Sequence, residues 1–429
     1  MSTARRVAIL GGVRIPFCKN NTAYFDVGNL GMSIKTLGAL VEKFGLQGVQ
    51  LGEVAMGAVL KHSSDWNLAR EAALSSGLSP LTPGITLQRA CGTGLDTVIT
   101  IANKIALGQI EVGIGGGSDT TSDVPIAVNK KLRRRLLNLN MARTFGSRVS
   151  AALKGFSPGE LKPEFPGVSE PRTGKSMGEH CELMAKEWQI PRAEQDQLAF
   201  ESHKKAAAAY ERGFFKDLVV PFRGLERDNI LRADTTLEKL ATLKPAFDKS
   251  SGQGTLTAGN STNLSDGASA ALLSSEDWAR THGKQVLAYL VDAQVAAVDF
   301  EHGEGLLMAP TAAVAEILKR NQLTLQDFDF YEIHEAFAAQ VLCTLKAWES
   351  ADYCRNRLGL DAALGSIDRS KLNVVGSSLA VGHPFAATGA RIVATAAKLL
   401  QEKGSGRALI SICTAGGMGV VAIIERAQG

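Results

Sequence analysis

Two cysteines and two histidines stand where their side chains could do chemistry. Cys91, in "RACGTGL", is expected between the end of a strand and the start of a helix. A thiol at a helix N-terminus feels the positive end of the helix dipole and unpaired amides, and both favour thiolate. The glycines after it leave room around the sulfur. The placement is like that of a nucleophile on a sharp strand-to-helix turn, although no G-x-S-x-G pattern is present. The alternative is a buried structural cysteine, since free cysteine often behaves as a small hydrophobe.

A cysteine nucleophile needs a base or an orienting partner. His383, in "AVGHPFAATGA", falls in a loop of small residues before a helix, and the proline after it biases its backbone to extended geometry. His334, in "DFDFYEIHEAFAAQVL", falls at a strand-to-helix junction with "HEAF" opening an apolar helix. Each alone is equally a loop or helix-start histidine. His62, His180, His203, His282 and His302 lie in polar or helical stretches and take no role. Cys413 ends a strand and enters the glycine-rich bend of "ISICTAGGMGVVAIIE", where backbone amides could approach a substrate as oxyanion donors. Together these four suit one cleft at the carboxyl ends of parallel strands.

Strands and helices must alternate to place them so. "RRVAILGGVRIPF" and "GEVAMGAVL" read as strands, "LGMSIKTLGALVEKFGL" and "NLAREAALSSGL" as helices. "ITLQRACGTGLDTVITIANKIALGQIEVGIGGGSD" reads as strand, tight turn, helix, glycine, strand. This alternation implies an α/β protein with a largely parallel sheet. The rhythm is lost over 122–250, which is rich in proline and charge and reads as an inserted lobe. It resumes in "TLTAGNSTNLSDGASAALLSS", expected as a strand and loop followed by a helix. "LNVVGSSLAVGHPFAATGARIVATAAKLLQEKGSGRALISICTAGG" then repeats the plan of the Cys91 unit, which points to internal duplication. The halves are expected at 1–121 with 251–280, and at 281–429.

At 429 residues, 45% hydrophobic and 21% charged, the composition is that of a globular chain with a large core. No run of eighteen apolar residues exists, and the N-terminus shows no signal-like core, so a cytoplasmic setting is expected. The six cysteines show no CxxC pair, which argues against a zinc ribbon and fits a reducing compartment; no metal is expected. Eight of the 47 basic residues and none of the 43 acidic ones lie between Val124 and Gly159. Such a block, interleaved with Leu, Met, Phe and Val, is either a solvated lobe or a surface for an anionic ligand, a membrane or a partner. Nucleic acid is the weakest reading, because no RRM, KH or zinc-finger pattern accompanies it.

"ACGTG", "HEAFAAQ", "GHPFAATGAR" and "CTAGGMG" occur in the order and wide spacing of the four signature blocks of thiolases, and the chain resembles that family over essentially its whole length. The resemblance is to 3-ketoacyl-CoA thiolase (acetyl-CoA acyltransferase). It implies two duplicated βαβαβαββ halves in a five-layer αβαβα core with an inserted loop domain. It implies Cys91 as nucleophile, His383 as base and Cys413 as the acid–base thiol. The backbone amides of Cys91 and Ala415 would form one oxyanion site; His383 and a water would form the other, with His334 either orienting that water, as asparagine does in most thiolases, or donating directly. Met177 and Phe337 match pocket positions, and Thr262 falls where a serine often contacts coenzyme A. Coenzyme A is then a substrate, and no other cofactor is implied.

Two departures narrow the resemblance. Most thiolases have Asn where this chain has His334, and Gly where it has Ala415. With the basic segment, these are similar to the β-subunit of the fatty-acid oxidation trifunctional complex and its bacterial counterpart. That implies 3-ketoacyl-CoA degradation in β-oxidation, a homodimer or dimer-based oligomer, an α-subunit with hydratase and dehydrogenase activities, and peripheral membrane contact through residues 130–154. The alternatives are a biosynthetic acetoacetyl-CoA thiolase running the condensation, or a non-catalytic lipid-carrier or scaffold subunit.

Overall fold

The structure, a computed structural model, describes residues 4–426. Its centre is a ten-stranded mixed sheet. The two-residue strand Cys18–Lys19 pairs beside Ser265–Ser275, off the main path. From one edge the other nine strands run Gly84–Leu87, Glu53–Gly57, Val112–Asp119, Ser265–Ser275 and Val7–Arg14. They continue through Ala288–Ala297, Met418–Arg426 and Gly406–Thr414 to Phe330–Ile333 at the other edge. The first three are mutually parallel and the last two parallel to each other, while the strands between pair antiparallel. Parallel neighbours need crossovers. The helices Leu68–Ser75 and Thr93–Ala106 provide them at one end, and Thr388–Lys403 leads into Gly406–Thr414 at the other.

Side-chain alternation along the strands sets the layers. Val7, Ile9, Ala271, Leu273, Ala408, Ile410, Ile412, Val420, Ala422 and Ile424 join one core with Leu95, Val98 and Ile101 of one helix and Ile392, Val393 and Leu400 of the other. The opposite face splits in two. Ala8, Leu10, Val54, Met56, Ala270 and Leu272 pack with Leu37, Leu40 and Ala72. Leu409, Val421, Ile423, Tyr331 and Ile333 pack with Val314, Ile317, Val341 and Leu345. The sheet therefore wraps the two central helices, giving five layers, αβαβα.

Those central helices meet at their N-termini through two glycines. A Cβ on Gly94 would strike the carbonyl of Ala386 and the amide of Gly389, and one on Gly389 would strike the backbone of Gly94 and Leu95. Only backbone-to-backbone contact fits there. Cys91 stands three residues before Gly94 and His383 six before Gly389, so the crossing brings them together.

Between Asp119 and Ser265 no strand joins the main sheet. The segment holds the exposed helix pair Lys130–Met141 and Phe145–Leu153, the longer helices Met177–Glu187 and Arg192–Glu211, and the short Leu237–Ala241. Two expected elements differ. "SDGASAALLSS" is an eleven-residue strand, Ser265–Ser275, buried at every position, and the helix that follows is only Glu276–Thr281. Small residues buried on both faces leave no period to read. "LNVV" is no strand: a single bridge, Tyr331 to Leu372, is all that forms before the chain turns away at Asn373, whose φ is +45°.

Candidate active site

Cys91 sits in a strained turn. Ala90 before it has φ +42°, a left-handed conformation that costs a non-glycine residue. The turn is held from both sides. Thr93 Oγ1 accepts from the Arg89 amide at 2.7 Å and donates to the Ala90 carbonyl at 2.6 Å, while Arg89 Nε donates to Asp96 at 2.7 Å. Cys91 remains half-buried and reachable. Burial pushes its thiol up to about 12, with Asp119 and Glu170 adding to the effect and the backbone amides of Ala415 and of Cys91 itself pulling the other way. The helix-dipole expectation of a ready thiolate is thus reversed: loss of water and two nearby carboxyl groups outweigh the helix end.

His383 lies in the loop before the second central helix. Its amide donates to Ser265 Oγ at 3.2 Å and its Nδ1 is 2.6 Å from Thr388 Oγ1. Asp119, at the end of its strand in the other half, accepts from the Ala386 amide at 2.8 Å and from the amides of Val59 and Leu60. One carboxyl group thereby ties the histidine loop to the Cys91 half. Burial, with Arg391 adding a smaller push, lowers His383 to about 3, so the ring is neutral at neutral pH.

His334 follows the strand Phe330–Ile333, and its amide donates to the Ser411 carbonyl at 2.8 Å. The helix starts only at Ala338, so "HEAF" is the connection and not its first turn. His334 Nδ1 is 2.7 Å from Ser378 Oγ, and its ring centroid is 4.1 Å from that of His383. Burial first, then His383 and Arg391, hold its pKa well below the ordinary value. Cys91 Sγ and one ring nitrogen from each histidine all lie within 4.8 Å of one another. Nε2 of both histidines is buried without a protein partner. Such a thiol and two imidazoles could also ligate one soft metal ion. A nucleophile beside a neutral base is the other use of the same atoms.

Cys413 is the last but one residue of the strand Gly406–Thr414, inside an apolar cluster with Met308, Ala336 and Phe337, and burial, then the nearby Cys91, raises its pKa well above the ordinary thiol. The bend after it is left-handed only at Gly416 and Gly417, with φ +75° and +68°. Ala415 has no such angle, so the change from glycine costs nothing there and its amide still faces Cys91. The bend is latched from the inserted lobe, where Glu170 Oε1 accepts from the Gly416 amide at 2.8 Å.

Around Cys413 the lining is apolar. Met177, Phe247 and Phe300 pack against its cluster, with Phe247 and Phe337 edge to face at 5.7 Å. Thr262 does not hold a free hydroxyl donor: its Oγ1 and its amide both donate to the Ala336 carbonyl, at 3.1 and 3.0 Å. Its oxygen can still accept.

The structure therefore brings Cys91, His334 and His383 into one cluster, with Cys413 and the Ala415 amide beside Cys91. Met177 and Phe337 pack at its apolar side, and Thr262 holds the 334–337 connection. Sequence reading passed over Asp119, Glu170, Ser378, Thr388 and Arg391. Of these only Asp119, a lone acid ending a glycine-rich apolar strand, carried a signal.

The sequence model described as "Thiolase, N-terminal domain" matches residues 7–277, and "Thiolase, C-terminal domain" matches residues 284–426. The chain is similar to the 3-ketoacyl-CoA thiolase of Shewanella baltica, 40% identical over 426 residues, covering 98% of this chain and 97% of that one. It is also 40% identical over 426 residues to the 3-ketoacyl-CoA thiolase of Pectobacterium atrosepticum, covering 98% and 96%. Among solved structures it is similar to the Bacillus anthracis acetyl-CoA acetyltransferase, at TM-score 0.82 and 32% identity, covering 99% of this chain and 100% of that one. The human mitochondrial 3-ketoacyl-CoA thiolase superposes at TM-score 0.81 with 29% identity, covering 99% of each.

Proposed function

The chain belongs to the thiolase family, and from that premise we propose that it is an acyltransferase cleaving 3-ketoacyl-CoA with coenzyme A, in the degradative direction of β-oxidation. The observation that carries the reading is the cluster of Cys91, His383 and His334 atoms within 4.8 Å, with a second thiol, Cys413, next to it.

The proposed sequence uses those groups in turn. Neutral His383 takes the proton from Cys91 as sulfur attacks the 3-keto carbon. The developing oxyanion falls to the backbone amides of Cys91 and Ala415. The bond between the α and β carbons breaks, leaving the acyl group on Cys91. The electron pair departs as the enolate of acetyl-CoA, its oxygen held by His334 and the now-protonated His383. Cys413 gives that carbanion its proton. Coenzyme A then attacks the acyl-enzyme, its thiol proton returning to Cys413, and the His383 proton returns to Cys91. The apolar lining by Met177, Phe247, Phe300 and Phe337 suits the acyl or pantetheine chain. Thr262 is a contact for coenzyme A only as an acceptor.

Steady-state thiolysis of C4 and C16 3-ketoacyl-CoA tests the reading, together with Cys413→Ala. This variant is expected to take an acyl group onto Cys91 from a simple acyl-CoA and to fail in cleavage. Normal thiolysis by the variant removes the proton role. Preference for C4 with efficient condensation of acetyl-CoA would favour the biosynthetic direction.

The exposed helix pair supports a second reading, of where the protein works. No described helix is long and apolar enough to cross a membrane. Neither Lys130–Met141 nor Phe145–Leu153 buries a residue, and Leu137, Met141, Phe145 and Leu153 are exposed beside Lys130, Lys131, Arg133, Arg134, Arg143, Arg148 and Lys154. We assign this surface to an anionic membrane, with a partner such as an α-subunit as the competing occupant. Arg135 is excluded from it, because it is spent on Glu160 at 2.8 and 2.9 Å and on the carbonyls of Ala151, Ala152 and Lys154. Reversing Lys130, Lys131, Arg133 and Arg134 is expected to abolish co-sedimentation with anionic vesicles and to leave turnover on short substrates intact. Unchanged sedimentation overturns it. A homodimer is the assembly proposed, since the Gly84–Leu87 strand ends the sheet just before Cys91 and among the described residues nothing pairs with its outer edge; light scattering reads it.

A further inference from the structure

The two histidines of the site are chemically alike and nearly in contact, yet the proposed reaction asks opposite things of them. One must accept a proton at Nε2 and the other must donate from it. A neutral imidazole carries a single proton, and which nitrogen holds it follows from what the other nitrogen is bonded to.

Around His334 the partners decide this. Arg391 is buried, with its Nη2 2.9 Å from Ser378 Oγ and its Nη1 3.3 Å from Ser377 Oγ. A guanidinium has five donors and no acceptor, so Ser378 Oγ must accept from Arg391. Ser378 is fully buried, and its other partner is His334 Nδ1 at 2.7 Å. If Nδ1 carried the proton, the Ser378 hydroxyl would receive from both sides and its own proton would be left buried and unbonded, which is costly. The satisfied arrangement runs one way: Arg391 donates to Ser378, Ser378 donates to Nδ1, and the His334 proton stands on Nε2. Three carboxyl groups favour the charged Arg391: Glu332, buried and without a hydrogen-bond partner, Glu335, which accepts from Ser202, Asn373 and the Leu379 amide, and Asp228; Arg14 opposes them. Among the described residues no guanidinium is hydrogen-bonded to Thr388, the partner of the other ring. His383 Nδ1 faces Thr388 Oγ1, which has the Pro384 carbonyl at 3.5 Å as an acceptor for its own proton and is therefore able to receive from Nδ1. That leaves His383 Nε2 bare.

We infer that Arg391 and Ser378 are positioning residues that lock His334 in the tautomer protonated at Nε2, so that it serves as a fixed hydrogen-bond donor, while Thr388 keeps its neighbour His383 in the opposite tautomer as the base. This rests on the thiolase reading for what the donor is used for. The tautomers themselves do not depend on it. The replacement of Asn by His at position 334 then does not call for a relayed water: the imidazole N–H itself is the donor.

The test is nitrogen NMR of the full-length protein labelled with ¹⁵N-histidine, with the two rings assigned by His334→Gln and His383→Gln. Expected in the resting protein are a protonated Nε2 and bare Nδ1 for His334, and the reverse for His383. In Ser378→Ala the His334 signals should move toward a mixture of tautomers. The same variant should lose about tenfold or more in kcat for cleavage, as when one oxyanion donor is disordered, with the KM for coenzyme A held; Ser378→Thr should restore most of it. A proton on Nδ1 of His334 in the unmodified protein overturns the inference, even if the variants do not fold. So does a Ser378→Ala protein with both spectrum and kcat unchanged. An unmodified protein inactive on every 3-ketoacyl-CoA would instead overturn the function, with the tautomers still read from the spectrum.

Discussion

Taken residue by residue, Cys91, the proposed nucleophile, is masked. Cys91 at about 12 and His383 at about 3 sit far apart, so the resting pair is thiol and neutral imidazole, not an ion pair. The sign follows: thiolate grows with pH until the thiol titrates. Alkylation of Cys91 by iodoacetamide should climb about tenfold per pH unit from pH 7 to about 10 without a plateau. A flat profile from about pH 5, the signature of a thiolate–imidazolium pair, would contradict it. Cys91→Ala should cost at least ~10⁴-fold in acetyl-CoA release, since it removes the thiol proposed to carry the acyl group; activity near that of the unmodified protein would remove the assignment. At this scale the sequence was legible where chemistry needs a particular side chain. Cys91, His383, His334 and Cys413 could be picked out from their junctions. Ser378, Arg391 and Glu170 could not, because a serine, an arginine and a glutamate act here only through partners distant in the chain, at Ser378–His334, Arg391–Ser378 and Glu170–Gly416.

At the scale of elements, the proposed catalysis rests on two helices whose ends touch. Gly389→Ala forces a methyl into the backbone of Gly94 and Leu95. Overpacking of this kind costs about 1–3 kcal/mol, and here it also separates Cys91 from His383. The expected result is a lowered Tm together with a fall in kcat, read by thermal denaturation and thiolysis. Gly146→Ala is the control: it lies in the exposed Phe145–Leu153 helix with nothing near its Cβ, and should gain up to about 1 kcal/mol. Equal behaviour of the two variants would deny the crossing its role. Most elements could be read from their sequence pattern, as in the apolar run of the Val7–Arg14 strand and the helical spacing of Thr93–Ala106. The misreadings fall where small residues are buried on both faces. Ser265–Ser275 shows this as a strand, while "LNVVGSS" forms only the single bridge at Leu372 before turning away at Asn373.

The whole molecule stores buried charge behind the site, and its stability should carry the mark. Burial pushes Glu332 up to about 8, with Arg391 pulling down. Its pKa is raised on folding, so the folded chain holds a proton that the unfolded chain releases near the ordinary glutamate value of about 4.3. The folded state therefore binds more protons across that window, and this group's contribution to stability falls as pH rises through it, levelling above about pH 8. Glu332→Gln should flatten the decline in urea midpoint between about pH 5 and 8. A parallel slope in the variant would show that Glu332 is ionised in the folded protein. The five-layer architecture was implied by the family resemblance, but the sheet is mixed where a largely parallel one was expected, since its centre is antiparallel, as where Val7–Ile9 pairs with Ala288–Leu290 across the halves.

The central claim is that the carbon–carbon bond is cut with the acyl group left on Cys91. Rapid mixing of the enzyme with a C16 3-ketoacyl-CoA, without free coenzyme A, tests it most directly. A burst of one acetyl-CoA per chain should appear, with mass spectrometry finding the shortened acyl group on the Cys91 peptide. Absence of the burst, or an acyl group on Cys413 in place of Cys91, would contradict the account.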